Sequence, residues 1–168
     1  MEFTIRDPFE TDVDTYWREI FFDEEFNRRL YLEGMGFKGF ELLELTGEPG
    51  GRRTRVMRSE PTADAPAVVK KFAGDSFAYT ERGTFDPDTG VWSYDIEVGK
   101  LSDRVRIGGR LWAEPAGDGR CERVAQVHID VKVFGIGGAV EKFIEKTTRE
   151  SYAKATAFTA KWIAERRG

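Results

Sequence analysis

The last third of the chain changes its hydrophobic period from two residues to about 3.6. Over residues 121–133, polar positions alternate with the apolar Ala125, Val127, Ile129, Val131 and Val133, a pattern that predicts a half-buried strand. After glycine-rich residues 134–138, a proline-free stretch predicts one helix to about Arg166, roughly 28 residues and about 40 Å long. A helix of that length needs a surface to lie on, and the preceding strands supply one.

Shorter periodic stretches precede this pair of elements. A strand is predicted over residues 2–6, ended by Pro8, and two short helices follow it. Thr11 and Asp12 offer an N-cap for the first helix, and acidic residues 23–25 begin the second, which ends at glycines 34 and 36. We then expect strands over residues 37–45, 52–59, 77–85, 91–98 and 105–113, with a helical turn over residues 65–72.

The resulting order is a strand, two helices, six strands and a long helix. Turn sequences such as Asp-Pro-Asp-Thr-Gly at residues 86–90 are typical of hairpins and favour an antiparallel meander. The prediction is an α+β helix-grip fold, with a curved seven-stranded antiparallel sheet and the long helix over its concave face. No repeat, linker or low-complexity tract divides the chain, so we expect residues 1–168 to form one domain.

Composition narrows the function classes. A net charge of −4 argues against a dedicated nucleic-acid binder. Cys121 and His128 are the only cysteine and histidine, which excludes an internal disulfide and a Cys- or His-based metal cluster, so no metal or cofactor is expected. No signal-peptide pattern and no apolar run long enough to span a membrane is visible, and the expected location is the cytoplasm.

The element order and two segments resemble the START-like superfamily, also called SRPBCC. The segments are the helix pair around Trp17 and Phe26 and the sequence Val-Lys-Val-Phe-Gly-Ile-Gly-Gly-Ala-Val-Glu at residues 131–141. This superfamily includes Bet v 1-like allergens, START lipid-transfer domains and polyketide cyclases/aromatases, and the chain looks most similar to its DUF2505-like group. The resemblance covers essentially the whole chain and implies an internal cavity for an apolar or amphipathic ligand. It implies no catalytic residue, because the superfamily shares no catalytic motif.

The long helix carries small residues in the middle of its apolar stripe. The stripe consists of Val140, Phe143, Ile144, Thr147, Ser151, Ala155, Phe158 and Trp162. We expect the bulky residues to clamp both ends of the helix and a void to lie under Thr147 and Ser151. In the alternative, large sheet residues fill that space as in an ordinary core.

Two carboxylates fall in an inward register. Alternation places Glu81 on the same face as Phe77, Tyr79 and Phe85. A carboxylate facing an apolar cavity should be paired, hydrated or raised in pKa, so Glu81 is a candidate anchor for a ligand's polar end. The alternatives are an ion pair with a neighbouring arginine or a bulge that turns it outward.

Glu41 is the second carboxylate, and its register is ambiguous because Phe40 and Leu42 compete for the inward face.

Aromatic residues on later strands extend the candidate site. Trp92 and Tyr94 alternate with polar residues and would form either core or pocket wall, and Trp112 could extend the same surface. The candidate ligand-binding residues are therefore Tyr79, Glu81, Trp92, Tyr94, Trp112, Phe143, Thr147 and Ser151.

Other polar features are interpreted as surface. His128 lies on the polar side of the last strand. The arginines at 52, 53, 55 and 58 and the lysines at 70 and 71 predict an outer polar face, with transient contact to an anionic membrane as the alternative. The glycines before the last helix lack a P-loop lysine and favour a hinge.

Three functions fit these features. The first is non-catalytic binding or transport of a lipid-like or polyketide-like molecule. The second is a polyketide cyclase/aromatase-like enzyme, with Glu81 and Tyr79 as the candidates for proton transfer. The third is an interaction module with a vestigial cavity.

Overall fold

Seven antiparallel strands form one sheet in the computed structural model, which describes residues 1–62 and 64–167. The strands are β1 (Glu2–Phe9), β2 (Gly39–Thr46), β3 (Arg53–Glu60), β4 (Tyr79–Asp86), β5 (Val91–Glu97), β6 (Val105–Pro115) and β7 (Cys121–Val131). Their spatial order is β1-β7-β6-β5-β4-β3-β2. Strands β2 to β7 therefore form a meander, and β1 returns to pair with β7, with Phe3 opposite Val127.

Short helices connect the two edges of this sheet. Helix α1 (Val13–Thr15) continues as a π-helical turn (Tyr16–Phe21), and α2 (Glu24–Arg29) continues as a second π-helical turn (Leu30–Gly34). The predicted caps form, since Asp12 Oδ1 accepts from the Thr15 amide at 2.8 Å and Asp23 Oδ1 from the Phe26 amide at 2.7 Å.

The later helices are α3 (Ala67–Ala73), a 3₁₀ turn (Gly99–Leu101) and α4 (Gly137–Arg167). Helix α4 contacts β1, β7 and the second π-helical turn and covers the concave face of the sheet. The helix-grip prediction is confirmed.

Some element bounds differ from the prediction for identifiable reasons. Pro8 does not end β1 but lies inside it, opposite Glu122. Because β1 is an edge strand with one neighbour, it tolerates a residue without an N–H. Gly137 and Gly138 belong to the first turn of α4 rather than to a hinge before it.

Strand β2 settles the ambiguity around Glu41. Its pairing with β3 shifts between Leu42 and Glu44, which is a β-bulge. Phe40 and Leu42 pack inward before the bulge and Leu45 after it, while Glu41 is exposed. Glu41 therefore faces solvent rather than the concave side.

Large side chains hold α4 near both of its ends. The C-terminal half packs into an aromatic cluster from the short helices and β4–β5, in which Phe26 lies 5.3 Å from Trp162 and Trp17 lies 4.5 Å from Phe85, centroid to centroid. Near the N-terminus, Val140 packs with residues of α3, β6 and β7. In the middle of the helix Tyr152 is the large residue that packs inward, and the short side chains of Thr147, Ser151 and Ala155 leave room beneath the helix.

Gly83 provides a test of the aromatic packing. A Cβ at this buried position in β4 would overlap the indole of Trp92, which is itself buried. We expect Gly83→Ala to lower the free energy of unfolding by about 1–3 kcal/mol, the usual cost of overpacking a core. Chemical denaturation measures the change.

The matched control is Gly138→Ala, where an added methyl group meets no atom within 4 Å. Its effect on the free energy of unfolding should be neutral or stabilising by up to about 1 kcal/mol, because alanine is the better helix former. Equal effects of the two substitutions would show that Trp92 is not held against the Gly83 backbone.

Candidate functional site

A cavity of about 260 Å³ lies between the middle of α4 and the sheet. Most of its lining residues are aliphatic or aromatic, as in pockets for small organic ligands. The predicted candidates that line it are Tyr79, Glu81, Trp92, Tyr94, Phe143, Thr147 and Ser151. The void expected beneath Thr147 and Ser151 is therefore present, rather than filled by large sheet residues.

Trp112 is not brought into this group. It lies on β6 next to Leu111, which lines the cavity, and successive strand residues point to opposite faces. Its indole Nε1 donates instead to Glu114 Oε1 at 3.0 Å. Trp112 was expected to extend the pocket wall, but it lies on the face of β6 that is turned away from the cavity.

The middle of α4 creates the space through side-chain size and internal hydrogen bonding. Thr147 Oγ1 bonds back to the carbonyl oxygen of Phe143 at 3.0 Å and thus satisfies its polar group within the helix. Ser151 and Ala155 follow one and two turns later and also line the cavity. These short side chains leave space beneath the helix, so a bound molecule could lie against them.

The volume sets the size of a possible ligand. An apolar cavity of roughly 150 Å³ takes up benzene. A cavity of about 260 Å³ therefore has room for a molecule of about two fused rings.

All tyrosines of the chain line this one cavity. There are five of them, and they come from the two π-helical turns, β4, β5 and α4: Tyr16, Tyr31, Tyr79, Tyr94 and Tyr152. Burial raises the pKa of each phenol, that of Tyr152 to about 12. The cavity wall therefore carries neutral hydroxyl groups, which can donate or accept hydrogen bonds at physiological pH.

Glu81 is the acidic group among these hydroxyls. Its charge contributes to the raised pKa of four of the phenols, those of Tyr31, Tyr79, Tyr94 and Tyr152. Its Oε1 lies 3.4 Å from Nη2 of Arg55, and the exposed fractions of the two side chains are 14% and 4%. We call Glu81, Arg55 and the four phenols of Tyr31, Tyr79, Tyr94 and Tyr152 the Glu81 cluster.

The pKa of Glu81 is raised by its burial, and the attraction of Arg55 opposes this effect without cancelling it. The contact with Arg55 is a single one and is longer than the 2.7–2.9 Å usual for charge-assisted hydrogen bonds of this type. Glu81 is thus a carboxyl group held where its protonated form is favoured more than in water.

Arg55 corrects the prediction of an all-outward basic cluster on β3. Alternation along β3 places Arg55 on the same inward face as Met57 and Ser59, and all three residues are buried. Its guanidinium packs against the rings of Phe21 and Trp92, with Cζ 4.3 and 4.9 Å from their centroids. The two-residue spacing of Arg55 and Met57 could have indicated that Arg55 faces inward, but the arginines around it favoured a solvated face.

Arg123 is a second buried guanidinium that sequence reasoning missed. It shares the inward parity of Ala125 on β7 and lines the cavity. Nη2 donates to Asp7 Oδ2 at 2.6 Å and to Thr156 Oγ1 at 3.1 Å, which ties β7 to β1 and α4. This cation is already closely paired, so its place in the wall is mainly structural.

The remaining polar candidates lie outside the cavity. His128 is exposed, with Nδ1 3.7 Å from Glu2 Oε1. Across residues 1–62 and 64–167, no group of three or more His, Cys, Asp or Glu side chains could hold a metal ion. In the same residues, no helix is both long and apolar enough to cross a membrane.

The element order and the sheet topology give the chain a START/Bet v 1-like helix-grip fold. A family model for DUF2505, described as a protein family of unknown function, matches residues 4–163. The chain belongs to the DUF2505 family. Comparison of the sequence with curated proteins gives no significant match.

Solved structures confirm the fold. TTHA0849 from Thermus thermophilus superposes with a TM-score of 0.69 at 15% identity, over 100% of both chains. The Zhui aromatase/cyclase from Streptomyces sp. R1128 gives 0.64 at 17% identity, over 99% of this chain and 94% of that one. A START superfamily protein from Mycobacterium smegmatis gives 0.59 at 14% identity, over 96% and 98%.

The raised pKa of Glu81 predicts a pH-dependent stability. A carboxyl group whose pKa is higher in the folded than in the unfolded state stabilises the fold fully below its ordinary value of 4.5. That contribution is lost as the pH rises through the folded-state pKa. We therefore expect Glu81→Gln, which cannot ionise, to gain stability relative to the wild type as the pH rises from 4.5 to 8.

Thermal unfolding of both proteins across this pH range measures the difference. Glu41→Gln is the control, because Glu41 is exposed and its substitution should leave the pH profile of the wild type unchanged. A Glu81→Gln curve parallel to the wild type at every pH would contradict the raised pKa.

Proposed function

We propose that this protein binds a hydrophobic or amphipathic small molecule of about two fused rings in the cavity under α4, as a carrier or sensor. The observation that carries this proposal is an apolar volume of about 260 Å³ with the Glu81 cluster in its wall. Burial of the apolar part of the ligand would supply affinity, and the polar cluster would fix its orientation.

The arrangement of the polar groups supports selective binding over simple filling of a void. Tyr16 lines the cavity from the first π-helical turn, and the other tyrosines line it from the second π-helical turn, β4, β5 and α4. A ligand with oxygen atoms near one end could therefore be held from several directions. Some of these hydroxyls already bond within the protein, as Tyr94 does with Tyr152, so a purely aliphatic ligand would gain burial of its apolar surface but no orientation from the polar groups.

A second function, chemistry on the bound molecule, is favoured by one observation. Glu81 has a raised pKa and lies among phenols, as suits a group that exchanges protons with a ligand. The similarity of fold to an aromatase/cyclase agrees with it. A ligand recovered from the protein with unchanged mass supports a carrier, whereas conversion that is lost in Glu81→Gln supports an enzyme.

Loading from a membrane stays a prediction. Lys70 and Lys71 are exposed on α3. The same short helix contributes Val69, Phe72 and Ala73 to the cavity wall. Contact of this helix with anionic head groups would bring the cavity next to a lipid surface.

A cavity-filling substitution tests the proposed function. Ser151→Phe places a ring in the space beneath the middle of α4, and we expect it to weaken binding of the neutral probe 2-naphthylmethanol at least tenfold. Isothermal titration calorimetry on the wild type and the variant measures the change, and native mass spectrometry of protein purified from cells identifies any resident ligand.

Ser151→Ala is the matched control, because it removes the hydroxyl group without filling the space. It should bind the probe with nearly the wild-type affinity. If all three proteins bind equally well, the probe does not occupy the cavity, and absence of binding to the wild type would contradict the proposed function.

A further inference from the structure

Arg55 is held in place by groups other than Glu81. Its Nη1 donates to the carbonyl oxygen of Phe21 at 2.7 Å, and the same oxygen accepts from Asn27 Nδ2 at 2.9 Å. The guanidinium also lies against the rings of Phe21 and Trp92. The position of the cation therefore does not depend on its contact with the carboxylate.

The donors of Arg55 are only partly used. A guanidinium has five N–H groups in a planar fork. Nη1 bonds to Phe21 and, at 3.5 Å, to Asn27 Oδ1, and Nη2 has the 3.4 Å contact to Glu81. Nε is buried and has no hydrogen-bond partner among the described residues. Buried cations usually have close anionic partners and fully bonded donors, so Arg55 can accommodate a further anionic partner.

The charged and titratable groups around Glu81 are few, and they come from every element packed against it. Arg55 faces it from β3, and the phenols of the Glu81 cluster face it from the second π-helical turn, β4, β5 and α4. Arg55 is thus the cation that opposes Glu81, since the other arginine in the wall, Arg123, is paired with Asp7.

We propose that Arg55 binds a carboxylate group of the ligand and that Glu81 takes up a proton when this group enters the cavity. The proposal rests on the proposed function and names the ligand class as aromatic or alicyclic carboxylic acids. The ligand carboxylate replaces Glu81 as the partner of Arg55, and a proton from solvent or buffer forms an O–H bond on the Glu81 carboxylate and neutralises it; no bond between heavy atoms changes. One negative charge stays beside one positive charge before and after binding.

Shape and charge favour a carboxylate over other anions. A carboxylate is planar and carries a single charge, and it matches two parallel N–H groups of a guanidinium. A phosphate would bring a second charge, and among the described lining residues Arg123 is the other cation and is already neutralised at 2.6 Å. Burial of an unbalanced charge in this apolar volume would oppose binding.

The protonation of Glu81 is energetically accessible. Burial already raises its pKa, and an arriving carboxylate raises it further by repulsion and by removing Arg55 as its partner. The phenols around Glu81 can accept the hydrogen bond of the protonated acid. Uptake of one proton makes affinity for a carboxylate increase as pH falls, up to tenfold per pH unit.

A pair of matched probes tests this proposal: 2-naphthoate, an aromatic carboxylate, and 2-naphthylmethanol, its neutral counterpart. We expect titration calorimetry between pH 5 and 8 to show that affinity for 2-naphthoate falls several-fold per pH unit as pH rises. Affinity for 2-naphthylmethanol should be independent of pH. Repeating the 2-naphthoate titration in buffers of different ionisation enthalpy should reveal uptake of close to one proton.

Three variants assign the effect to its residues. Glu81→Gln should abolish the pH dependence and bind 2-naphthoate at pH 8 at least as tightly as the wild type does at pH 6. Glu41→Gln should behave as the wild type. Arg55→Met should lose affinity for 2-naphthoate at least tenfold while still binding 2-naphthylmethanol, which also reports that its cavity is folded.

The possible results separate the two proposals. Binding of 2-naphthylmethanol together with weak or pH-independent binding of 2-naphthoate would overturn the carboxylate site and leave the proposed function standing. Binding of neither probe would overturn both. If Arg55→Met does not fold, the comparison of the wild type with Glu81→Gln still decides the question.

Discussion

The cavity exists because α4 packs closely against the rest of the fold near its two ends, while Thr147, Ser151 and Ala155 in between are too short to fill the space beneath them. Trp162 packs among aromatic rings at one end, and Val140 packs into a second hydrophobic cluster at the other. A helix that is fixed at two separated points cannot bend towards the concave sheet between them. The same contacts that stabilise the fold thus prevent the sheet from closing on the small residues between them.

The buried polar groups in this volume depend on a backbone carbonyl left free at the end of a helical segment. The first π-helical turn ends at Phe21, whose carbonyl oxygen accepts from both Arg55 and Asn27. Burying a guanidinium is costly unless its donors have partners, so this carbonyl is a condition for having a cation in the wall. Local helix geometry and the electrostatics of the cavity are therefore coupled.

The fold could be predicted from the sequence because alternation, turn residues and caps all favoured the same element order. Seven of the eight candidate site residues also line the cavity, since period two fixes the face of a regular strand and the spacing of three to four residues fixes the face of a helix. Trp112 failed because its own strand places it on the other face. Arg55 and Arg123 were missed because a charged residue at an inward position looks like surface until its partners, Phe21 and Asp7, are known from the tertiary structure.

The gathering of every tyrosine around one cavity has a practical consequence. In most proteins the absorbance and Raman signals of phenols average over many unrelated environments. Here the five phenols surround a single volume, and there is no tyrosine elsewhere in the sequence to dilute their response. The Raman bands of tyrosine, which are resolved from those of the four tryptophans, therefore report without a label on whether that volume holds water, a ligand or nothing.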